Sequence, residues 1–298
     1  MTRAGREVFA GSLSPPPPPG RPGEAERFGV HWLALDVQSE ASLEAAVKAA
    51  APGEVYHLAA QSSVGSSFDD PIGTWEVNAM GTLRLLDVLG RCISGRARVL
   101  LVSSAEVYGA VPEAEQPLSE TRPLGPVSPY ASSKAAAEMA ALQAGAGGQL
   151  SVVIARSFNH TGPGQDVRFA LPGFARQLRE VRAGRRDAVL RVGNLDVWRD
   201  FLDVRDVAGA YLRLAEQGMN RLAYNVCSGE ALRLGTLVER LVELSGTGAR
   251  VEVDAERLRP VEIPLLRGDS TRLRELGWKP RISMDQTLRD LLATEVPE

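Results

Sequence analysis

Short apolar runs alternate with helical patterns through the first half of the chain, and this alternation restricts the fold more than any other feature. Residues 7–10, 31–35, 55–60, 98–103 and 150–155 read as strands, and 42–51, 71–91 and 132–143 as helices between them. Strands rich in β-branched residues that alternate with helices form right-handed βαβ units, which give a parallel sheet covered on both faces. The expected architecture is therefore α/β, a doubly wound parallel sheet. From Gly162 onward the pattern changes to Pro/Gly-rich loops with mixed short strands and helices. A smaller second domain is expected there, built from about 161–190 and 226–298. The first domain then comprises 1–160 with a returning segment over about 191–225.

Composition narrows the class. The chain has 298 residues, 44% hydrophobic and 24% charged, with a formal net charge of -3, ordinary values for a soluble globular protein. That charge gives no reason to expect nucleic acid or an anionic membrane as partner. No apolar run approaches the roughly 18 residues that span a bilayer, and no signal-peptide pattern opens the chain, so a cytoplasmic protein is expected. Cys92 and Cys227 show no metal or redox spacing, and the three histidines have no acidic or thiol cluster beside them; no metal site is expected. Ser14 followed by prolines 15–19 reads as an extended, solvated surface loop.

The chemistry is concentrated in Tyr130-Ala-Ser-Ser-Lys134, preceded by Ser103-Ser104-Ala105-Glu106-Val107-Tyr108-Gly109. A Tyr four residues before a Lys places both side chains on one helix face, about one turn apart. There the ammonium can stabilise the phenolate and bring the Tyr into use near neutral pH, below its ordinary value of about 10. Ser104, on a strand end upstream, can hydrogen-bond the same reacting oxygen. These groups suit proton transfer at a carbonyl or carbinol while a hydride moves elsewhere. Ala59, Ala60 and Gln61 sit at another strand's carboxyl end, where ligands of open α/β sheets bind, and small residues there let a dinucleotide approach the backbone.

A dinucleotide-binding sheet of this kind normally opens with a strand, a glycine-rich turn and a helix, the turn's amides holding the pyrophosphate. This chain opens Met1-Thr-Arg-Ala-Gly-Arg-Glu-Val-Phe-Ala10, which reads as the end of a first helix and then the second strand. Gly145-Ala-Gly147-Gly148 leads from helix to strand, the reverse polarity, and Pro163 removes an amide from Gly162-Pro-Gly164. The first strand and glycine turn are thus expected to be missing. Either the start is mis-assigned and omits roughly 20 residues, or the protein is naturally shortened with weakened or lost cofactor binding. In the strand order 3-2-1-4-5-6 the first strand is central, and its absence would leave unpaired backbone groups and an apolar trench. That physical cost favours the mis-assigned start.

Several segments carry a family resemblance: His57-Leu-Ala-Ala-Gln61, Asn78-Ala-Met-Gly-Thr82, Ser104-Ala-Glu106-Val-Tyr-Gly109, and Ser128-Pro-Tyr130 with Lys134. Arg156-Ser-Phe-Asn159-His-Thr-Gly-Pro-Gly-Gln165, Arg199-Asp-Phe-Leu-Asp203-Val-Arg-Asp206, Tyr224-Asn-Val-Cys-Ser-Gly229 and Arg259-Pro-Val-Glu262 extend it. Over nearly its whole length the chain resembles the extended short-chain dehydrogenases/reductases that act on nucleotide sugars. It looks most like the GDP-6-deoxy-4-keto-mannose reductases, which make GDP-rhamnose, and is similar to the GDP-mannose 4,6-dehydratases.

The resemblance implies a GDP-sugar substrate with a ketone at sugar carbon 4, reduced with NAD(P)H. Tyr130 then donates the proton to the developing alkoxide, Ser104 hydrogen-bonds that oxygen, and Lys134 depresses the Tyr pKa and contacts the nicotinamide ribose. In the dehydratases a Glu at the place of Glu106 removes the proton from carbon 5, so Glu106 does not separate the two activities; a purely structural carboxylate is its other reading. Cofactor contacts are implied at Ser12, Asp36, Val37, Leu58, Ala59, Ala60, Gln61 and Asn78. Substrate contacts are implied at Gln61, Ser63, Ser104, Ala105, Glu106, Asn159, Arg199, Arg259 and Glu262, the two arginines toward the diphosphate. Asp36 suits a helix start before 39–47 equally well. Ser12 tolerates a 2′-phosphate and lacks the acidic group that selects NAD(H), which leans toward NADP(H) with NAD(H) possible. His31 and His57 read as structural histidines within strands. The resemblance also implies a homodimer through a four-helix interface, with Val77, Met80, Leu83 and Leu86 on the contributing helix. A GDP-mannose 4,6-dehydratase and a catalytically silent nucleotide-sugar-binding protein remain the alternatives.

Overall fold

The computed structural model describes residues 5–13, 29–255 and 263–294; the proline segment 15–19, Arg259 and Glu262 lie outside the described residues. β1 (Val8–Ser12) and β2 (Val30–Ala34) form a parallel pair in register from Val8–Val30 to Ser12–Ala34. β3 (Glu54–His57), β4 (Ala97–Ser104), β5 (Leu150–Ser157) and β9 (Leu222–Val226) form a separate parallel sheet in the order β3-β4-β5-β9. β4 and β5 are buried at nearly every position, the continuous apolar pattern of strands covered on both faces.

One face of this sheet is covered by α1 (Glu40–Ala50), α4 (Gly81–Cys92) and α5 (Pro129–Ala146), around a core that includes Leu43, Leu86, Leu89, Leu101, Ala137 and Ile154. The other face is covered by α7 (Val204–Gln217), whose Val207, Ala210 and Leu214 pack with Leu100, Val153 and Tyr224. Between β3 and α4 lie α2 (Val64–Asp69), α3 (Pro71–Trp75) and a π-turn over Glu76–Met80. The helix expected over 71–91 is thus interrupted. The wider turn carries Asn78 into the interior, where its side chain finds partners on β3's exit and on α5, and π-bulges recur at functional sites. α5 begins earlier than its periodicity suggests, because Ser128 accepts a hydrogen bond from the Ala131 amide and Pro129 needs no amide partner in the first turn.

A second core lies in the later half of the chain. There α6 (Ala170–Arg182), α8 (Leu234–Ser245) and α10 (Met284–Ala293) pack against β7 (Val189–Val192), with Leu171, Phe174, Leu178, Leu190, Leu241 and Leu288 buried together. β7 pairs in parallel with β11 (Arg250–Val253). β6 (Asn159–Thr161), β8 (Trp198–Asp203), β10 (Ala231–Arg233) and β12 (Leu265–Leu266) form a mixed set around β8, and α9 (Thr271–Glu275) follows β12.

Among the described residues no strand is hydrogen-bonded between β1 and β3, and no strand–glycine turn–helix unit is present. Arg6, just before β1, is ion-paired to Glu54 at the start of β3 (2.5 Å) and lies 3.6 Å from Glu216 on α7. That contact sets the beginnings of β1 and β3 side by side.

Candidate active site

The carboxyl end of β4 and the first turns of α5 bring the chemistry together. Ser104 is the last residue of β4, pairs across the ladder with Ser157 of β5, and leads into the short 3-10 segment Ala105–Tyr108 that carries Glu106. Tyr130 and Lys134 lie one turn apart on α5; with Ser104 they are under a tenth exposed, and Glu106 is half-buried. The Ser104 hydroxyl and the Glu106 carboxylate both lie near enough to the Tyr130 phenol to act on it. Burial pushes the Tyr130 phenol up to about 12, Ser104 opposing and Glu106 reinforcing the shift. Lys134 is pulled down to about 8 by burial, against the attraction of Glu138.

Burial sets the upward direction of the Tyr130 shift, and the Lys134 amine donates to the Val102 carbonyl at 2.8 Å.

A hydrogen-bonded frame fixes these groups from behind. Asn78 is 1% exposed; its amide donates to the Gln61 carbonyl and to Ser133 Oγ, both at 3.0 Å, and accepts from the Gln61 amide at 2.8 Å. Ser133 in turn donates to the Tyr130 carbonyl. The Asn78 amide thereby ties the exit of β3 to α5. His57 is buried with Nε2 2.9 Å from Thr82 Oγ1, whose hydroxyl donates to the Asn78 carbonyl. Burial and Lys134 hold His57 down to about 3, so it is a neutral imidazole. On the far side, Glu138 and Arg156 form a buried ion pair at 2.8 Å.

The remaining predicted residues fall in two groups. Ser12 and Asp36 stand at the carboxyl ends of β1 and β2; Asp36 accepts from the Gln38 amide, and the helix N-cap belongs to Ser39. Val37 is 7% exposed and packs into the core, where a Cβ on Gly81 would come within 2.9 Å of it. Leu58, 58% exposed, and Ala59 are open at the exit of β3, with Ala60 and Gln61 half-buried. Ser63 caps α2 and its carbonyl accepts from the Gln61 side chain. Ala105 is buried. Asn159 lies on β6 opposite Phe201, and Arg199 is buried on β8 with Nη1 donating to the Trp198 carbonyl at 2.9 Å. Sequence reasoning missed Ser103, Glu138, Arg156 and Asn225. Glu138 had one signal, its place one turn beyond Lys134 on the same helix face.

The residues at this end of the sheet fit a nicotinamide dinucleotide in part. Its reactive end suits the site: Tyr130 and Lys134 present donors there, and the Gln61 Oε1 acceptor nearby on β3's exit is buried without a hydrogen-bond partner. The open Leu58–Ala59 stretch suits close approach to the backbone. A pyrophosphate cradle is not among the described residues.

The family model described as GDP-mannose 4,6 dehydratase matches residues 21–291. The chain belongs to this family. A relative within it, the GDP-6-deoxy-D-mannose reductase of Pseudomonas aeruginosa, is 43% identical over 244 residues, covering 81% of this chain and 80% of that protein. The human GDP-mannose 4,6 dehydratase is 30% identical over 266 residues, covering 82% of this chain and 70% of that enzyme. The structure of RMD from Pseudomonas aeruginosa complexed with NADPH superposes with a TM-score of 0.82 at 39% identity, covering 89% of each chain. The fold is the parallel-sheet α/β architecture of the extended short-chain dehydrogenases/reductases. No described helix is long and apolar enough to cross a membrane.

Proposed function

We propose that this protein reduces the 4-keto group of GDP-4-keto-6-deoxy-mannose to the alcohol, giving GDP-6-deoxy-mannose (GDP-rhamnose), with NADP(H) favoured and NAD(H) possible. The observation that carries the reading is a buried Tyr130 beside Ser104 at the carboxyl end of β4, in a chain 43% identical to a GDP-6-deoxy-D-mannose reductase. NADPH is favoured because the superposed reductase holds it.

A reduced nicotinamide, when bound, would supply the hydride for carbon 4. Tyr130 gives its proton to the oxygen as the carbonyl π-bond breaks, and Ser104 donates a hydrogen bond to the same oxygen. A phenol held at about 12 is wholly in the donating form at neutral pH. Lys134 lies beneath, its charge available to stabilise the phenolate left behind and its donors able to reach the nicotinamide ribose. Ala59, Ala60 and Gln61 would flank the dinucleotide, with Ser12 and Asp36 toward its adenosine end. Asn159 and Arg199, together with Arg259 and Glu262, are assigned to the nucleotide sugar.

We assign the larger sheet with β1, β2, α1 to α5, α7 and β9 to the cofactor domain, and the second core to the substrate domain. A homodimer through α3, α4 and α5 is supported by Ile72, Trp75, Leu83 and Met139, which stand 41% to 77% exposed on those helices. Val77 and Leu86, by contrast, turn inward to the core. A cytoplasmic location is part of this proposal.

A second reading, a GDP-mannose 4,6-dehydratase, is favoured by Glu106 beside Tyr130 and by the 30% identity to the human enzyme. Mixing the protein with GDP-4-keto-6-deoxy-mannose and NADPH separates the two. Steady loss of reduced-cofactor absorbance, abolished by Tyr130→Phe, supports the reductase. Conversion of GDP-mannose without net cofactor consumption supports the dehydratase, and sugar binding with neither activity supports a silent binder.

A further inference from the structure

We infer that Glu138 and Arg156 are positioning residues for the catalytic group, bolting the end of β4 to α5 so that Ser104 and Lys134 keep their places around Tyr130. The inference rests on the reading of Tyr130 as the acid.

The bolt is built from residues adjacent to the chemistry on each element. Ser103, next to Ser104, donates its hydroxyl hydrogen to Glu138 Oε1 at 2.5 Å. Glu138, one turn beyond Lys134, is wholly buried and also accepts from Arg156 Nε at 3.0 Å and Nη2 at 2.8 Å. Arg156 Nη1 donates to Tyr108 Oη at 3.0 Å and to the Glu120 carbonyl at 3.1 Å. Tyr108 closes the 3-10 segment that carries Glu106 and donates onward to Asn225 Oδ1 at 2.7 Å. One network therefore touches the neighbours of Ser104, Lys134 and Glu106.

Stability does not account for such a pair. Desolvating two charges offsets most of their attraction, and well-packed apolar residues in their place are often no less stable. A fully satisfied buried network instead fixes one geometry, which is what a proton donor and its partners require, since small misplacements reduce rates steeply. The groups facing Lys134 are Glu138 on α5, the Val102 carbonyl on β4 and neutral His57 on β3, with Tyr130 one turn away on the same helix. Glu138 is thus the anion that favours the ammonium against burial.

The test compares the wild-type protein with Ser103→Ala, Glu138→Gln, Glu138→Asp and the double variant Glu138→Gln/Arg156→Met, which removes both buried charges together. In the ligand-free proteins, labelling of Lys134 by an amine-reactive reagent is followed against pH by peptide mass spectrometry. With GDP-4-keto-6-deoxy-mannose and NADPH, kcat and KM are measured separately. The expected result is a Lys134 midpoint lower by about one unit in Glu138→Gln and in the double variant. In both, kcat falls at least about tenfold while KM changes little; Ser103→Ala shows a smaller loss of the same kind, and Glu138→Asp recovers part of it. Recovery of wild-type kcat and Lys134 midpoint in the double variant, together with full activity in Ser103→Ala, would overturn the inference and leave a structural ion pair. Should wild-type protein oxidise no NADPH, the reductase reading fails, and the Lys134 midpoints alone decide whether Glu138 governs that amine. Should the Glu138 variants fail to fold, Ser103→Ala, which deletes one hydroxyl, decides through its kcat, or through Tyr130 absorbance on alkaline titration if no turnover exists; an unchanged value overturns the inference.

Discussion

Val99 and Leu101 of β4 are 1% and 2% exposed, whereas Trp32 of β2 is 42% exposed although it too sits on a parallel strand of the same fold. The larger sheet has neighbours on both edges of β4 and β5 and helices on both faces. Among the described residues the β1–β2 pair joins no further strand, and Arg6 reaches from its base to Glu54 and Glu216. The groups proposed for proton transfer, Ser104, Tyr130 and Lys134, all belong to the buried piece. Residues proposed for the adenosine end, Ser12 and Asp36, belong to the exposed one. Rigid positioning for chemistry and looser support for cofactor capture are thus divided between the two pieces, and that division can be tested.

The largest effect should come from the acid itself. Tyr130→Phe removes the proton donor while keeping the ring, and kcat should fall by about 10²–10⁴-fold. Ser12→Ala on the exposed piece should alter only the KM for NADPH. Steady-state kinetics with both variants check this; an unchanged kcat in Tyr130→Phe would remove the acid from the mechanism.

Next in size is stability. Leu101→Ala empties a site in the core between β4 and its covering helices and should destabilise by about 2–5 kcal/mol. Leu33→Ala on half-buried β2 should cost less than about 1 kcal/mol. Urea unfolding measures both, and equal losses would show that the two pieces share one core.

Much of this division was legible in the sequence. Unbroken apolar runs marked β4 and β5, and the Tyr130–Lys134 spacing marked the catalytic helix face. Periodicity gave no sign of the π-turn, because one extra residue per turn leaves the apolar pattern of 71–91 nearly intact. Nor did it show that Asn78 would spend its amide on Gln61 and Ser133, a pairing between residues far apart in the chain. The direction of the Tyr130 shift likewise depends on burial, which tertiary packing sets and one-turn spacing does not show. Arg156 and Glu138 looked like ordinary polar positions on a strand and a helix until the fold closed over them.

The buried piece should also carry a pH dependence of stability. His57 is held down to about 3 by burial and by Lys134, below its unfolded value of about 6.5. Between those values the unfolded chain binds the proton and the folded protein does not, so this contribution to stability is present in full above about 6.5 and is lost as pH falls toward 3. The slope is about 1.4 kcal/mol per pH unit for one group, and His57→Gln should flatten it in thermal melts taken from pH 7 to pH 5. A slope unchanged by that substitution would show that the imidazole takes up its proton without unfolding.

The smallest effect on stability should be the most telling about how the two pieces are joined. Arg6 and Glu54 are 42% and 28% exposed at their side chains, so their ion pair is screened and contributes at most about 1 kcal/mol. Global unfolding of Arg6→Ala should therefore match wild type closely. The β1–β2 ladder is a two-stranded sheet with mostly exposed or half-buried positions, however, and local opening draws on the least-supported elements. Amide hydrogen exchange in 8–12 and 30–34 should accelerate about threefold to fivefold in Arg6→Ala, while the amides of β4 and β5 keep their rates. Acceleration across all strands alike would mean that the pieces open as one unit, and the contrast between them would then be one of exposure without independence.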